Sequence, residues 1–521
     1  MGRYINIGNA GFQMARNGEY VDKSMLIAVV NSTLFTEQCF SCVSRCRRFG
    51  KSMAAKMLCA YYDKSCHSRH LFHDLKIAAD PSFERHLNKY PVIYLDMTNF
   101  MAEEGEGIVQ KVDGELLADI RRAYPDIPAE QGDKLIDFLL RVSEATGERF
   151  IFIIDEWDAP SREYAPQTEA VDSYVAWLRR MFKSIDAARV FAAVYMTGIL
   201  PIKRYNTQSA LNNFIEYSML TPRHMAGAFG FTKDEVQALA EKHGMDFDEL
   251  EKWYDGYQIG SVSHLFNPNS VMQAVRSHWC ESYWASTAAY DDVAGYVGMN
   301  YDGLKDDVIS MLAGGRCSVD TTRFKNDLSA IRSKDDVLTV LIHLGYLSYD
   351  MREGECYIPN REVAGEMANA VRSSDWRHVA NAIEKSKQLL KATINGDEQA
   401  VARGVEAAHD ENTSILSYND ENSMACVMAI AYYAARNDYV IHPELASGKG
   451  FADLVLMPRK NVAKPAVIIE LKKDSSADNA IQQIRQREYT AKVRQHTDSI
   501  LLVGINYDSK SKKHECRIAE D

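Results

Sequence analysis

Residues 44–52 read Ser-Arg-Cys-Arg-Arg-Phe-Gly-Lys-Ser and lie between a short apolar run, Cys39–Ser44, and an amphipathic run, Ser52–Tyr62. The two flanking runs predict a buried strand and a helix. A loop in this setting holds phosphates with its backbone N–H groups and the helix N-terminus, while Lys51 reaches phosphate oxygens and the Ser52 hydroxyl ligates Mg²⁺. The match is incomplete, because Arg45 stands where such loops have their first glycine, and a Gly-Lys-Ser tripeptide alone is common.

Two later runs end in polar residues that suit the same chemistry. Phe150–Asp155 is apolar and is followed by Glu156. Asp155 would hold Mg²⁺ through water, and Glu156 would polarise the attacking water. The next run ends at Thr197, where ATPases with a catalytic glutamate place a polar sensor for the γ-phosphate. The alternative for the acids is a strand that ends at the surface in solvated carboxylates. Three features in this order favour a site for ATP and Mg²⁺.

The surrounding sequence predicts an α/β domain. Apolar and amphipathic runs alternate over the first 220 residues, which is typical of parallel sheets covered by helices. The predicted strands are Cys39–Ser44, Val92–Asp96, Phe150–Asp155, Val190–Thr197 and Phe214–Leu220, and the helices are Ser52–Tyr62 and Asp172–Ile185. We assign residues 1–225 to this P-loop NTPase domain.

The middle region, residues 226–410, is helical and polar, and we predict a helical lid there. Within it, Asp335–Ser348 followed by Cys356–Pro359 predicts a helix that leads into a small hairpin, as in a winged-helix region.

The last region, residues 411–521, has a different order of elements. It is predicted as one helix, three strands, a helix and a strand: Ser423–Arg436, Tyr439–Glu444, Phe451–Met457, Ala466–Lys472, Ala477–Val493 and Ser499–Asn506.

Three residues of this last region suit metal-dependent chemistry. Glu470 and Lys472 point to the same face, because side chains alternate along a strand. Asp453, on the preceding strand, can converge on that face. Two carboxylates bind a hard divalent cation through oxygen, and Lys472 would orient or deprotonate a water molecule. The alternative is a surface Glu/Lys pair at a sheet edge. The spacing to Asp453 and the flanking strands favour a metal site formed by Asp453 and Glu470.

Taken together, these motifs resemble the prokaryotic AAA-ATPase-like family. The matching segments are Tyr20–Ser24, Arg45–Ser52, Ile154–Pro160, Thr197–Gly198 with Ser209 and 212–213, Trp253–Tyr257, 267–268 with Ser270, Tyr283–Trp284, Gly345–Leu347 and 358–360. An Arg-rich, glycine-poor P-loop is usual in that family, which implies an AAA-like parallel sheet and phosphate contacts from Arg45, Arg47, Arg48, Gly50, Lys51 and Ser52. Cys46 departs from the proline of that family.

The last region resembles the PD-(D/E)XK nuclease superfamily, in the form often fused behind AAA-ATPase-like domains. The resemblance implies a restriction-endonuclease-like α/β domain in which Asp453, Glu470 and Lys472 are catalytic and Gln483 supports the site. Gln483–Ile484 and Tyr489 fit the same family. Glu421 and Glu444 are candidate accessory acids, and each is equally well explained as a cap or a surface carboxylate.

Bulk properties bound these predictions. The chain has 521 residues, enough for more than one domain, and contains 46% hydrophobic and 25% charged residues, as in ordinary globular protein. The sequence has no apolar stretch of about 18 residues and no signal-peptide core, so we expect a cytoplasmic protein without a membrane span. The net charge of −12 argues against broad coating of nucleic acid. It does not exclude a local basic channel in the region after Gly448, which includes Arg485, Arg487, Lys492 and Arg494, although such a charge run usually marks a solvated helix face.

The sequence therefore predicts an ATP-binding and ATP-hydrolysing protein whose nuclease domain uses Mg²⁺ or Mn²⁺ on DNA or RNA under nucleotide control. The alternative is a nucleotide-dependent switch or scaffold that cleaves nothing. A metal protein built on Cys39, Cys42 and Cys46 is a third reading. A homo-oligomer is compatible with the sequence, but no oligomeric state follows from it.

Overall fold

The computed structural model describes residues 2–521 apart from 102–106, 165–167, 203, 206–207, 210, 285–294, 297–298, 300, 313, 327, 374–376, 413–427, 429–430, 433, 436–437, 448–449, 460–463, 488, 495 and 498. The chain forms two compact units. The first comprises Met1–Ala285 and Ser318–Val363, and the second comprises Ser286–Cys317 and Ala364–Asp521.

A five-stranded parallel sheet organises the first unit. Its strands stand in the order Val92–Asp96, Phe150–Asp155, Phe191–Gly198, Phe40–Ser44, Ile215–Tyr217. Every neighbouring pair is parallel, so the carboxyl ends of the strands share one edge of the sheet. Ligands bind outside that edge in open α/β sheets. The loop after Phe40–Ser44, the acids after Ile154 and Thr197 all lie there.

Helices cover both faces of this sheet, as expected for strands that are apolar throughout. Ile108–Ala123, Leu135–Thr146 and Glu169–Phe182 pack on one face with Phe152 and Ile154. Ala10–Arg16, Met25–Thr33 and Lys51–Tyr62 pack on the other with Ile151 and Ile153. Shorter elements of this part are Phe83–His86, Ala159–Glu163, Ala187–Val190, Arg204–Tyr205 and Gln208–Ser209.

The rest of the first unit is helical with small antiparallel sheets. Its helices are Lys233–His243, Phe247–Tyr254, Pro268–Ser277 and Lys334–Leu344. Strands Phe231–Thr232, Val262–Phe266 and Tyr257–Ile259 form one sheet. Lys334–Leu344 leads into an antiparallel hairpin of Ser348–Asp350 and Glu355–Tyr357, the helix and hairpin that the sequence predicts.

A five-stranded mixed sheet organises the second unit. Its strands stand in sequence order: Tyr439–Ser447, Gly450–Pro458, Ala466–Lys473, Ile500–Asp508 and Lys513–Glu520. The third and fourth strands are parallel and the other pairs antiparallel. Helices Arg377–Ile394 and Glu398–Asn412 contribute to the core on one face, and Ala477–Gln486 packs on the other. Other helices are Leu304–Leu312 and Thr490–Val493, and Arg361–Ser373 crosses the unit limit at Val363.

The unit limits do not coincide with the predicted boundaries at residues 225 and 410. Leu389, Leu390, Val401 and Val405 belong to the core of the second sheet, so the two helices before residue 413 are part of that unit. The strands Val92–Asp96 and Phe150–Asp155 agree with the prediction to the residue. The predicted helix Ser423–Arg436 lies largely outside the described residues. No helix among those described is long and apolar enough to span a bilayer.

Candidate functional site

The loop between Phe40–Ser44 and Lys51–Tyr62 makes a tight turn into the helix. Arg48 and Gly50 both have positive φ, 67° and 89°, and Gly50 directly precedes the helix as its N-cap. Glycine adopts this backbone conformation without the penalty of a Cβ atom. The first turn of the helix therefore presents its free N–H groups at the carboxyl edge of the sheet.

A cavity of about 370 Å³ lies against this loop. This volume is within the range of small-molecule sites. Its polar wall includes Arg48, Gly50, Lys51, Ser52 and Glu156. Its apolar wall is made of Tyr20, Val21, Met57, Phe229, Phe231 and Met272. A polar wall at a helix N-terminus beside an apolar wall suits a ligand with phosphates at one end and an aromatic base at the other.

Lys51 is buried, and its ammonium group donates to the carbonyl oxygens of Arg45 and Cys46, each at 3.0 Å. Both acceptors belong to the loop itself. A phosphate oxygen carries negative charge and is a stronger acceptor than a carbonyl oxygen. We therefore expect the ammonium group to turn toward a bound phosphate.

Asp155 ends its strand beside Ser52. Its carboxylate accepts from the Tyr94 hydroxyl at 3.3 Å and from Ser52. Burial raises the pKa of Asp155 to about 6, and the charges of Glu156 and Asp96 act in the same direction. A buried carboxylate next to a hydroxyl suits Mg²⁺, because a cation offsets the cost of burying the negative charge.

Glu156 lines the cavity but is held by an arginine that the sequence did not single out. Its Oε2 lies 2.6 Å from Nη2 of Arg162, and Nε of Arg162 lies 3.1 Å from Oδ2 of Asp158. Asp158 is fully buried and accepts from the backbone N–H groups of Ile199 and Leu200. Arg162 thus ties the acids to the end of the neighbouring strand. The sequence signal was the Asp-Glu-Trp-Asp run followed by an arginine four residues after Asp158.

Thr197 lies at the carboxyl edge between the loop and the acids. It pairs with Val43 of one neighbouring strand, and the preceding Met196 pairs with Ile154 of the other. The side chain is buried, and its hydroxyl has no hydrogen-bond partner among the described residues. A buried hydroxyl without a partner costs free energy, which is consistent with a partner supplied by a ligand or water.

Arg45 does not line the cavity, in contrast to the phosphate contact that the resemblance implied. Its guanidinium is fully buried and donates to the carbonyls of Ser44 at 2.9 Å, Tyr217 at 2.6 Å and Met225 at 3.1 Å. It also lies over the ring of Phe229. Three backbone acceptors compensate the buried charge, so the structure assigns Arg45 to holding strand ends together. Arg47 is half-buried and does not line the cavity either.

The second unit brings Asp453, Glu470, Lys472 and Gln483 together. The two antiparallel strands pair Leu454 with Ile469, the residues that directly adjoin Asp453 and Glu470. Lys472 lies 3.1 Å from Oε1 of Glu470, and the side-chain amide of Gln483 donates to the same oxygen. Asp453 accepts from the backbone N–H of Leu471 at 2.7 Å. The convergence predicted from alternation along the strand is therefore present.

Glu470 is 2% exposed, and its Oε2 has no hydrogen-bond partner among the described residues. Burial raises the pKa of Glu470 to about 7, with Asp453 acting in the same direction, while Lys472 and Arg487 oppose them. A carboxylate oxygen without a partner, near a second carboxylate, fits a divalent cation, which prefers oxygen ligands.

A glycine that the sequence reading missed allows Gln483 to reach this site. Gly504 pairs with Glu470 on the neighbouring strand. A Cβ at Gly504 would lie 2.3 Å from the carbonyl oxygen of Ala477 and 3.0 Å from the Cβ of Ala480. The helix Ala477–Gln486 therefore rests directly on the strand, and only glycine permits that approach.

The candidate accessory acids and the basic residues of the last region are described only in part. Glu421 lies outside the described residues, as do the side chains of Glu444 and Lys492. Arg485, Arg487 and Arg494 are exposed.

The cysteine reading gains no support from the structure. Cys42 and Cys46 are buried, and burial raises the pKa of the Cys46 thiol to about 12 and that of Cys39 to about 11. Among the described residues, these three thiols do not form a group of ligand atoms within 4.8 Å of one another.

Within the described ranges, Glu251, Asp255 and His264 have ligand atoms within 4.8 Å of one another. Lys233 already pairs with Glu251 at 2.7 Å, and its charge opposes a cation at that position.

The parallel sheet with its Gly-Lys-Ser loop has the arrangement of an AAA-like P-loop fold, and the frame of Asp453, Glu470 and Lys472 has that of a PD-(D/E)XK fold. Residues 6–207 match the family described as predicted AAA-ATPase, and residues 419–516 match the PD-(D/E)XK nuclease superfamily. Both resemblances inferred from the sequence are therefore confirmed.

A relative that matches almost the whole chain comes from Azotobacter chroococcum mcd 1 and is described as an uncharacterized protein in the vnfD 5′ region. It is 23% identical over 539 residues, with 98% of this chain and 97% of that protein covered.

Similar solved structures are more distant. The Aeropyrum pernix ORC2 protein has a TM-score of 0.27 and 12% identity, covering 69% of this chain and 94% of that one. AMPPCP-bound DnaA from Aquifex aeolicus has a TM-score of 0.26 and 10% identity, covering 71% and 91%. These scores are too low to support a functional comparison.

Proposed function

We propose that this protein binds and hydrolyses ATP in the cavity of its first unit and cleaves nucleic acid phosphodiesters at the Glu470 site, with nucleotide state regulating cleavage. The observation that carries the nuclease proposal is that Lys472 and Gln483 both contact Oε1 of Glu470, near Asp453, while the buried Oε2 of Glu470 has no hydrogen-bond partner among the described residues. The cavity at the helix N-terminus supports the ATP proposal.

At the ATP site, the N–H groups of the loop and the first helical turn would hold the phosphates together with Lys51. Ser52 and Asp155 would hold Mg²⁺, whose contribution is to offset negative charge on the phosphates. Glu156 would orient and polarise the attacking water. Arg162 pairs with Oε2 of Glu156, so Oε1 is the oxygen through which Glu156 would act on the water.

At the nuclease site, Asp453 and Glu470 would hold Mg²⁺ or Mn²⁺. The cation's contribution is to lower the pKa of water and to offset charge on the phosphate being attacked. Lys472 would orient the water or accept its proton. Gln483 fixes Glu470 through its amide, so it supports the carboxylate and does not act on the substrate.

The test is a cleavage assay of the full chain on linear, circular and single-stranded DNA and on RNA, with and without Mg²⁺ or Mn²⁺ and ATP. Lys472→Ala should abolish cleavage, whereas its exposed neighbour Lys473→Ala serves as the matched control and should cleave normally. Lys51→Ala should abolish ATP turnover. Absence of metal-dependent cleavage on every substrate, or cleavage untouched by Lys472→Ala, refutes the nuclease proposal. ATP-dependent behaviour without cleavage would favour the switch or scaffold alternative.

A further inference from the structure

Arg48 belongs both to the wall of the cavity and to a second set of contacts. Its side chain lines the cavity, and its guanidinium donates to the backbone carbonyl of Tyr283. Tyr283 lies far along the chain, in the segment after helix Pro268–Ser277.

Glu362 also contacts the segment that contains Tyr283. Its side chain is 1% exposed and accepts from the Ser270 hydroxyl at 2.9 Å and from the backbone N–H of Tyr283 at 2.7 Å. The N–H of Trp284 also donates to it, and the nearby charge of Arg48 adds a smaller effect that favours its ionised form. Ser270 stands on helix Pro268–Ser277, from which Pro268, Asn269 and Met272 line the cavity. Glu362 therefore joins a cavity helix to residues 283–284.

These contacts lie where the chain leaves the first unit. That unit's first segment ends at Ala285, directly after Trp284, and its second ends at Val363, directly after Glu362. Both continuations run into the unit that carries Glu470. A change in the Arg48 and Glu362 contacts would thus act on two of the peptide connections that lead to the nuclease domain.

We infer that Arg48 and Glu362 form a coupling cluster through which nucleotide binding alters the chain segments 283–284 and 360–363. This inference rests on the proposed ATP site. A nucleotide phosphate competes with the Tyr283 carbonyl for the Arg48 guanidinium, and the phosphate is the stronger acceptor. A ligand shifts an equilibrium only through contacts that differ between two states, and Arg48 supplies such a difference. When Arg48 turns to the phosphate, the Tyr283 carbonyl loses its donor, and the positive charge near Glu362 moves away.

The amide protons of Tyr283 and Trp284 report on the cluster directly, because both donate to Glu362. Hydrogen exchange of the full chain would be followed without ligand and with a saturating non-hydrolysable ATP analogue and Mg²⁺. We expect these two amides to exchange at least about fivefold faster with the analogue, the lower end of typical coupling between sites. Arg48→Gln should show the fast exchange already without ligand and no further change with it.

Two further variants distinguish a specific effect of the coupling cluster from a general loss of stability of the first unit. Arg361→Gln changes the exposed neighbour of Glu362, which stacks on Trp253, and should respond as the wild type does. Glu362→Gln should weaken the nucleotide response while the strand Phe150–Asp155 keeps its protection. Unchanged exchange in the wild type, or slow ligand-free exchange in Arg48→Gln, overturns the inference. Fluorescent ATP titration is run in parallel: failure to bind refutes the ATP site itself, whereas binding without an exchange response refutes only the coupling.

Discussion

Replacing Glu362 by glutamine should make the first unit more stable at alkaline pH. Glu362 is almost fully buried, and burial raises its pKa from 4.5 to about 7 despite the donors around it. At about 1.4 kcal/mol per pKa unit, this rise corresponds to about 3 kcal/mol between the protonated and ionised forms. Because the folded-state pKa is raised, the stabilising contribution of the protonated form is complete below pH 4.5 and is lost as the pH rises through 7.

Glutamine keeps an oxygen acceptor of similar shape but does not ionise. Relative to the wild type, Glu362→Gln should therefore gain up to about 3 kcal/mol in free energy of unfolding between pH 5 and pH 8. Urea unfolding followed by tryptophan fluorescence measures this, since Trp157, Trp177, Trp253, Trp279 and Trp284 all belong to the first unit. Glu353→Gln, an exposed position of the same unit, is the matched control. The same difference between variant and wild type at both pH values would refute the reasoning.

Three further substitutions test other parts of the account. Gly504→Ala should lower the rate of cleavage and should lower the free energy of unfolding by about 1–3 kcal/mol, because the new Cβ pushes the Gln483 helix away from the strand. Gly365→Ala, with open space around its Cβ position, is the control. A normal melting temperature in Gly504→Ala would contradict the packing argument. Arg162→Ala should lower the free energy of unfolding by about 3–5 kcal/mol, because it leaves the buried Asp158 carboxylate without its cation. Arg189→Ala is the control: it removes an exposed ion pair and should lower the free energy of unfolding by less than about 1 kcal/mol. Equal losses for Arg162→Ala and Arg189→Ala in urea unfolding would contradict the prediction. Arg45→Met should destabilise the first unit but keep nucleotide affinity within about threefold in a fluorescence titration (below 1 kcal/mol), whereas a loss as large as that of Lys51→Ala would restore Arg45 to the phosphate site.

The sequence predicted most reliably the features that depend on a short-range pattern. Short, continuously apolar runs such as Phe150–Asp155 predicted their strands correctly, because a strand in a parallel sheet covered by helices is buried on both faces. The period of two placed Glu470 and Lys472 on one face, and Asp453, which the sequence also predicted to converge there, accepts from the backbone N–H of Leu471 beside Glu470. The Gly-Lys-Ser loop likewise lies at the carboxyl edge that its position after a strand implied.

What the sequence did not predict depends on contacts between distant segments. Arg45 has the type and position of a phosphate ligand, yet backbone carbonyls of Tyr217 and Met225, far along the chain, make it a buried support. Glu362 and Gly504 carry no motif that distinguishes them, and their roles follow from the approach of Tyr283 and Ala477. The helices Arg377–Ile394 and Glu398–Asn412 show an amphipathic pattern that does not specify the sheet against which they pack.

The central claim, a nucleotide-controlled nuclease, is tested most directly by the rate of metal-dependent cleavage with and without ATP in the wild type, Glu470→Gln and Lys51→Ala. We predict cleavage that changes with ATP in the wild type, no cleavage by Glu470→Gln under any condition, and cleavage by Lys51→Ala that no longer responds to ATP. Cleavage by Glu470→Gln at the wild-type rate, or an ATP response that survives in Lys51→Ala, would contradict the account.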